Sequence, residues 1–283
     1  DPIERRKIVY QMLVENSERT QSDIRNQLDR LRIDYRGYYL VNAMEVNGGP
    51  LIKFWLTNHP AVERVLPSPH LRPLSQPLPA VKGKIQVVQP DQDWNLKMIR
   101  APEVWSELGA RGAGIVIGLA DSGADWKHPQ LYDRYRGKNG DHNYHWLDVW
   151  SGNPIPTDTS GHGTHTLGTI LGKDVGVAPD AEWIGCVNLA RNLGNPAVYL
   201  ECWQFLFAPF PQGGNPFTDG RPELGAHIFN NSWGCPEVEG CDAAVFLPAV
   251  RALKVAGVFV VVSAGNSGYS GCGSVDAPPA IYE

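Results

Sequence analysis

The stretch GIVIGLADSG, residues 114–123, is an apolar run bounded by glycines that ends on an acid among small neighbours. A run of this length between turn formers predicts a buried strand, with Asp121 at its carboxyl end. Three similar runs follow: EWIGCVNLA (182–190), AHIFNNSW (226–233) and GVFVVVSAG (257–265). Helical stretches separate them: GTHTLGTILG, AVYLECWQFLFA and DAAVFLPAVRALKVAG, the last with Ala243, Phe246, Leu247, Val250 and Leu253 on one face. Buried strands alternating with helices predict an α/β fold, a parallel sheet with helices on both faces. In such sheets reactive groups gather outside the carboxyl ends of the strands.

Upstream the grammar is different. Residues 2–32 carry spaced apolar positions (Ile8, Met12, Ile24, Leu28, Leu31) among charges, with no internal Gly or Pro after Pro2. They predict a long amphipathic helix, or two with a break near 16–20. YRGYYLVNAMEVNGG predicts strand pairing, LIKFWLTN a short helix ended by Pro60, and VERVL a strand ended by Pro67. Together, residues 1–68 predict a small α+β, ferredoxin-like domain whose first strand would lie upstream of Asp1. Six prolines between 67 and 90 mark residues 69–93 as a linker, so the third region is 94–283.

Composition narrows the function classes. The chain has 283 residues, 42% of them hydrophobic, and a net charge of -5, which leaves no basic footprint for nucleic acid. Its apolar runs are too short to span a bilayer. Among five cysteines, Cys235 and Cys241 could close a small ring and Cys272 could pair with either instead. Cys186, inside WIGCV, reads as a buried free thiol. No CxxC or HxxxH metal spacing occurs.

The residues able to do chemistry stand at the predicted strand ends and helix starts. Asp121 closes the first strand, and HGTH (162–165) opens a helix. NNSWG (230–234) and SAGNSG (263–268) end two further strands, with Asn266 beside glycines that let another backbone approach. This order, together with DWNLKMIRAPEVW, HPQLYDRYRG and VGVAPDAEWIG, resembles the subtilisin-like serine peptidases (subtilase family), and within them the bacillopeptidase F type. Residues 1–68 resemble the inhibitory propeptide of the same enzymes.

The resemblance implies a secreted or extracytoplasmic serine endopeptidase acting on polypeptides, with no cofactor required. Calcium is possible, but no ligands can be assigned. It implies that Asp121 orients the imidazole of His162, the general base, and that His165 is structural. Asn266 would donate to the oxyanion, while Ser232, Trp233, Gly234, Ser263, Ala264 and Gly265 would line the groove where substrate adds as a strand. The family's nucleophile sits in a GTSxA turn, and no Gly-Thr-Ser occurs in these residues. The expectation is therefore that the serine follows residue 283 or that a second chain completes the fold. Without such cover, the inner faces of GIVIGLA and VFVVV would be partly open. The competing reading is a catalytically inactive, subtilase-derived binding or structural subunit. A metal hydrolase is remote for want of a third ligand.

Overall fold

The computed structural model describes residues 1–69, 93–190, 193–275 and 277–282; most of the 69–93 linker lies outside them. Helix α1 runs unbroken over Pro2–Leu31. Asp1 caps it by accepting from the Ile3 amide at 2.9 Å, and Arg32 ends it in the left-handed conformation. Its buried positions, Arg6, Tyr10, Val14, Ser17, Gln21, Ile24 and Leu28, recur every three or four residues straight through 16–20. The continuous stripe explains why no break occurs there. Strands β1 (Tyr35–Tyr38) and β2 (Ala43–Val46) form an antiparallel hairpin, and α2 spans Pro50–Thr57.

The third strand expected at 62–66 is absent, so the ferredoxin-like count is not reached. Val62 and Val65 pack on a small core with Ile24, Leu28 and Leu56, while Leu66 packs on the main core. Arg64 pairs with Asp242. A segment whose side chains serve two cores, between Pro60 and Pro67, does not join a ladder.

Two short helices follow, α3 (Trp94–Met98) and α4 (Ala101–Leu108). The main sheet then contains β3 (Val116–Asp121), β4 (Trp146–Asp148), β5 (Glu182–Val187), β6 (Ile228–Asn231) and β7 (Phe259–Val262). Their order is β4-β5-β3-β6-β7, and every pairing is parallel. Helices α5 (His162–Leu171), α6 (Pro196–Phe207) and α7 (Leu247–Val255) alternate with them. The last is shorter than its pattern suggested, since Pro248 fits only a first helical turn.

Alternation along β3 divides its side chains between two cores. Val116 and Ala120 join α6 residues such as Trp203, Phe205 and Leu206. Ile117 and Leu119 face the other way, onto Leu167 and Leu171 of α5. Asp121 falls on the α5 side by the same period of two. Each fully buried large side chain contributes roughly 1.5–3 kcal/mol, so β3 is firmly fixed.

The open face anticipated for both β3 and β7 is confined to β7. All six residues of β3 are buried, whereas Phe259 and Val261 are 73% and 44% exposed. β3 is central in the sheet and β7 is its edge. Cys186 is not a free thiol. It is bonded to Cys202 of α6, with the Cα atoms 5.4 Å apart. Cys202 lies in a helix buried nearly all round, and no local spacing announced it as a partner. Cys235 and Cys241 do close their ring, and Cys272 is free and exposed.

Candidate active site

Register brings the strand ends together. Ala120 lies level with Asn231 in β6, and Asn231 level with Val262 in β7. Asp121, Ser232 and Ser263 therefore emerge side by side at the carboxyl edge. Asp121 is fully buried, and burial pushes its carboxyl above the ordinary range against the lowering pull of hydrogen bonds from His162 and Ser122. Its Oδ1 lies 2.6 Å from Nδ1 of His162 and also accepts from the Ser122 amide at 2.7 Å. Oδ2 accepts from the Thr166 hydroxyl at 3.3 Å.

His162 is the first residue of α5, and its side chain is 40% exposed. With Nδ1 tied to a buried carboxylate, the ring is fixed in orientation while its other nitrogen can serve as an acceptor. Gly163 makes the approach possible. A β-carbon there would sit 2.0 Å from the Gly123 carbonyl oxygen. His165, expected to be structural, is exposed on the outer side of α5. Spacing alone does not exclude it, since residues three apart share a helix face, but it is Thr166, not His165, that reaches Asp121 beside His162.

The sequence reading missed Asp158. Its Oδ1 accepts from Ser122 Oγ (3.0 Å), the Ser160 amide (3.1 Å) and the Gly161 amide (2.9 Å). Its Oδ2 accepts from the Thr164 amide (2.8 Å) and hydroxyl (2.7 Å). Burial raises its carboxyl, but these hydrogen bonds outweigh it and the pKa is lowered. Asp158 takes the capping place that Gly161, in the left-handed conformation, leaves empty at the start of α5. The signal was the Asp-Thr-Ser-Gly turn before the helix.

The candidate substrate walls are only partly assembled. Trp233 is buried rather than lining an open groove. Its indole donates to the Ala120 carbonyl at 3.1 Å and stacks on Tyr199 with centroids 3.8 Å apart. Ser232 accepts from the Asn230 amide group at 3.0 Å, and Gly234 is backed by Ala277. Ser263 donates to the Trp233 carbonyl at 3.4 Å, joining the two walls. Ala264, Gly265 and Asn266 form an exposed turn after β7. Among the described residues, Asn266 makes no hydrogen bond to Asp121 or His162. No group of three or more His, Cys, Asp or Glu among the described residues could hold a metal ion, and no described helix is long and apolar enough to cross a membrane.

Known proteins resemble this chain over most of its length. Residues 112–281 match the model of the Subtilase family, Peptidase S8. Bacillopeptidase F of Bacillus subtilis (strain 168) is 32% identical over 302 residues, covering 99% of this chain and 20% of that protein. The intracellular serine protease of Paenibacillus polymyxa is 37% identical over 194 residues, covering 65% of this chain and 52% of the relative. The chain thus spans a fifth of the first relative and about half of the second. The solved structure of MycP1 with its N-terminal propeptide removed covers 61% of this chain and 49% of its own, at 23% identity and a TM-score of 0.44. With the family model matched over more than half of its length, this chain belongs to the subtilase family.

Proposed function

We propose that this chain is part of a serine endopeptidase that hydrolyses peptide bonds with an Asp/His/Ser triad. The observation that carries the reading is the 2.6 Å contact between His162 Nδ1 and the buried Asp121 carboxylate. Asp121 holds the imidazole so that Nδ1–H donates to it. The free nitrogen then takes the proton of a serine hydroxyl as its oxygen attacks the substrate carbonyl, and returns that proton to the leaving amine. The Asn266 amide donates to the oxyanion of the tetrahedral intermediate. Ser232–Gly234 and Ser263–Gly265 flank an extended substrate. The serine comes from sequence beyond residue 283 or from a second chain, which would also cover the exposed face of β7. No cofactor enters the reaction.

Residues 1–68 act as an inhibitory propeptide domain in this reading. In support, the Tyr39 amide donates to Gln204 Oε1 at 2.6 Å, and Arg36 pairs with Glu201, both partners lying on α6. Two disulfides favour an oxidising, extracytoplasmic compartment. The test is labelling of the natural full-length protein with a serine-directed fluorophosphonate. Labelling that disappears in His162→Ala is expected. No labelling of a demonstrably folded protein would overturn the proposal in favour of a binding subunit.

A further inference from the structure

Helix α5 begins HGTHTLGT, and its threonines have different partners. Thr164 donates from its hydroxyl to Asp158 Oδ2 at 2.7 Å. The Thr166 hydroxyl has Asp121 Oδ2 at 3.3 Å and the Gly163 carbonyl at 3.0 Å within reach. Thr169 donates to the His165 carbonyl at 3.2 Å. Bonding back to a carbonyl three or four residues earlier is the ordinary habit of a helical threonine, and it accounts for Thr169. It does not account for Thr166, which also faces a carboxylate on another element.

A hydroxyl has one proton, so the two acceptors compete for it. The Gly163 carbonyl is neutral and, inside α5, also faces the amide of Leu167 four residues on. The Asp121 carboxylate is charged and fully buried, which makes it the stronger acceptor. Its two oxygens are unequally supplied. Oδ1 accepts from His162 Nδ1 at 2.6 Å and from the Ser122 amide at 2.7 Å, whereas among the described residues Thr166 alone donates to Oδ2. Burial raises the Asp121 carboxyl, and the Thr166 hydroxyl is one of the hydrogen bonds that pull it down. The titratable groups facing Asp121 are His162 of α5 and, through the Ser122 hydroxyl, Asp158. On the neighbouring strands and just past their ends, Val187, Asn188, Asn231 and Ser232 lie beside it, none of them titratable.

We propose that Thr166 is a positioning residue for the base: by donating to Oδ2 it fixes the plane of the Asp121 carboxylate against the His162 ring. Without this hydroxyl the carboxylate is held at one oxygen only, and the other is a buried charged acceptor with no donor. The hydroxyl also turns the positive end of its dipole towards the Asp121–His162 pair. The pair therefore gives up its proton at lower pH than it would without Thr166, and the base is free over a wider range. This rests on the peptidase reading for the task of His162, but the contact itself can be tested without activity.

The experiment compares Thr166→Val, which keeps the shape and removes the donor, with Thr166→Ser, which keeps the donor, in the natural full-length protein. The titration of the Asp121–His162 pair is followed on the His162 ring protons by NMR. Thr166→Val should move its midpoint to higher pH by about 0.3–1 pH unit, and Thr166→Ser should restore the wild-type midpoint. The acid limb of the fluorophosphonate labelling rate should move in the same direction, which a mere loss of folded protein would not produce. If Thr166→Val does not fold, Thr166→Ala, favoured by helix propensity at this half-buried place, takes its part with the same direction expected. An unmoved midpoint in the folded variant would overturn the proposal, as would a Thr166→Ser midpoint as high as that of Thr166→Val. Absence of labelling in every form would count against the peptidase reading alone, and the NMR midpoints would still decide the role of Thr166.

Discussion

The hydroxyl of Ser122 donates to Asp158 Oδ1 at 3.0 Å and accepts from the Gly163 amide at 3.0 Å. One side chain, adjacent to Asp121, thereby joins the end of β3 to the turn and helix that present His162. Replacing it with alanine leaves the buried Gly163 N–H without its acceptor and takes one donor from Asp158. Ser122→Ala is expected to destabilise the chain by about 1–3 kcal/mol, the usual cost of an unsatisfied buried group. Urea unfolding measures it, and a loss well under 1 kcal/mol would show that the junction does not depend on this hydroxyl.

Asp158 should give the junction a pH dependence of known sign. Its native pKa lies below that of an ordinary aspartate, so as pH falls the unfolded chain takes up the proton first. The stability it supplies is therefore complete above about pH 5 and disappears as pH falls through the native pKa. Asp158→Asn should be less stable than wild type at pH 7, with the gap narrowing towards pH 3. Unfolding free energies at pH 7, 5 and 3 check this, and a gap that widens on acidification would refute it.

The buried bridge between Cys186 and Cys202 closes a loop with a sequence separation of 16, against 6 for Cys235–Cys241. In the chain-entropy account the longer loop stabilises by about 3 kcal/mol and the shorter by about 2. Cys186→Ser with Cys202→Ser should therefore lower the thermal midpoint more than Cys235→Ser with Cys241→Ser. Calorimetry of the two variants decides the order.

The parallel sheet was readable because GIVIGLA and its successors are short, apolar and bounded by glycine, and burial on both faces demands such runs. The meeting of Asp121 with His162 was readable only through order and resemblance, since 41 residues separate them. Asp158 escaped notice because a turn aspartate looks alike whether it caps a helix or faces water. The missing strand at 62–66 and the Cys186–Cys202 bridge escaped for a shared reason. In each case the deciding partner lies on another element, where spacing along the chain carries no information about it.

Two glycines of α5 provide a test of how closely its start is fitted to β3. In an exposed or roomy helix position, Gly→Ala stabilises by about 0.5–1 kcal/mol, because alanine has less unfolded-state freedom to lose. Gly168 has nothing within 4 Å of where a β-carbon would be built, so Gly168→Ala should show that gain. Gly163 is in the same helix, yet the same atom would sit 2.0 Å from the Gly123 carbonyl oxygen and 3.1 Å from Asp121 Cβ. Neither neighbour can yield without moving the Asp121 strand end away from His162. Gly163→Ala should therefore destabilise, and the low-field proton resonance expected from the His162–Asp121 hydrogen bond should weaken or vanish while persisting in Gly168→Ala. If both substitutions stabilise alike, the close fit of α5 against the end of β3 is wrong.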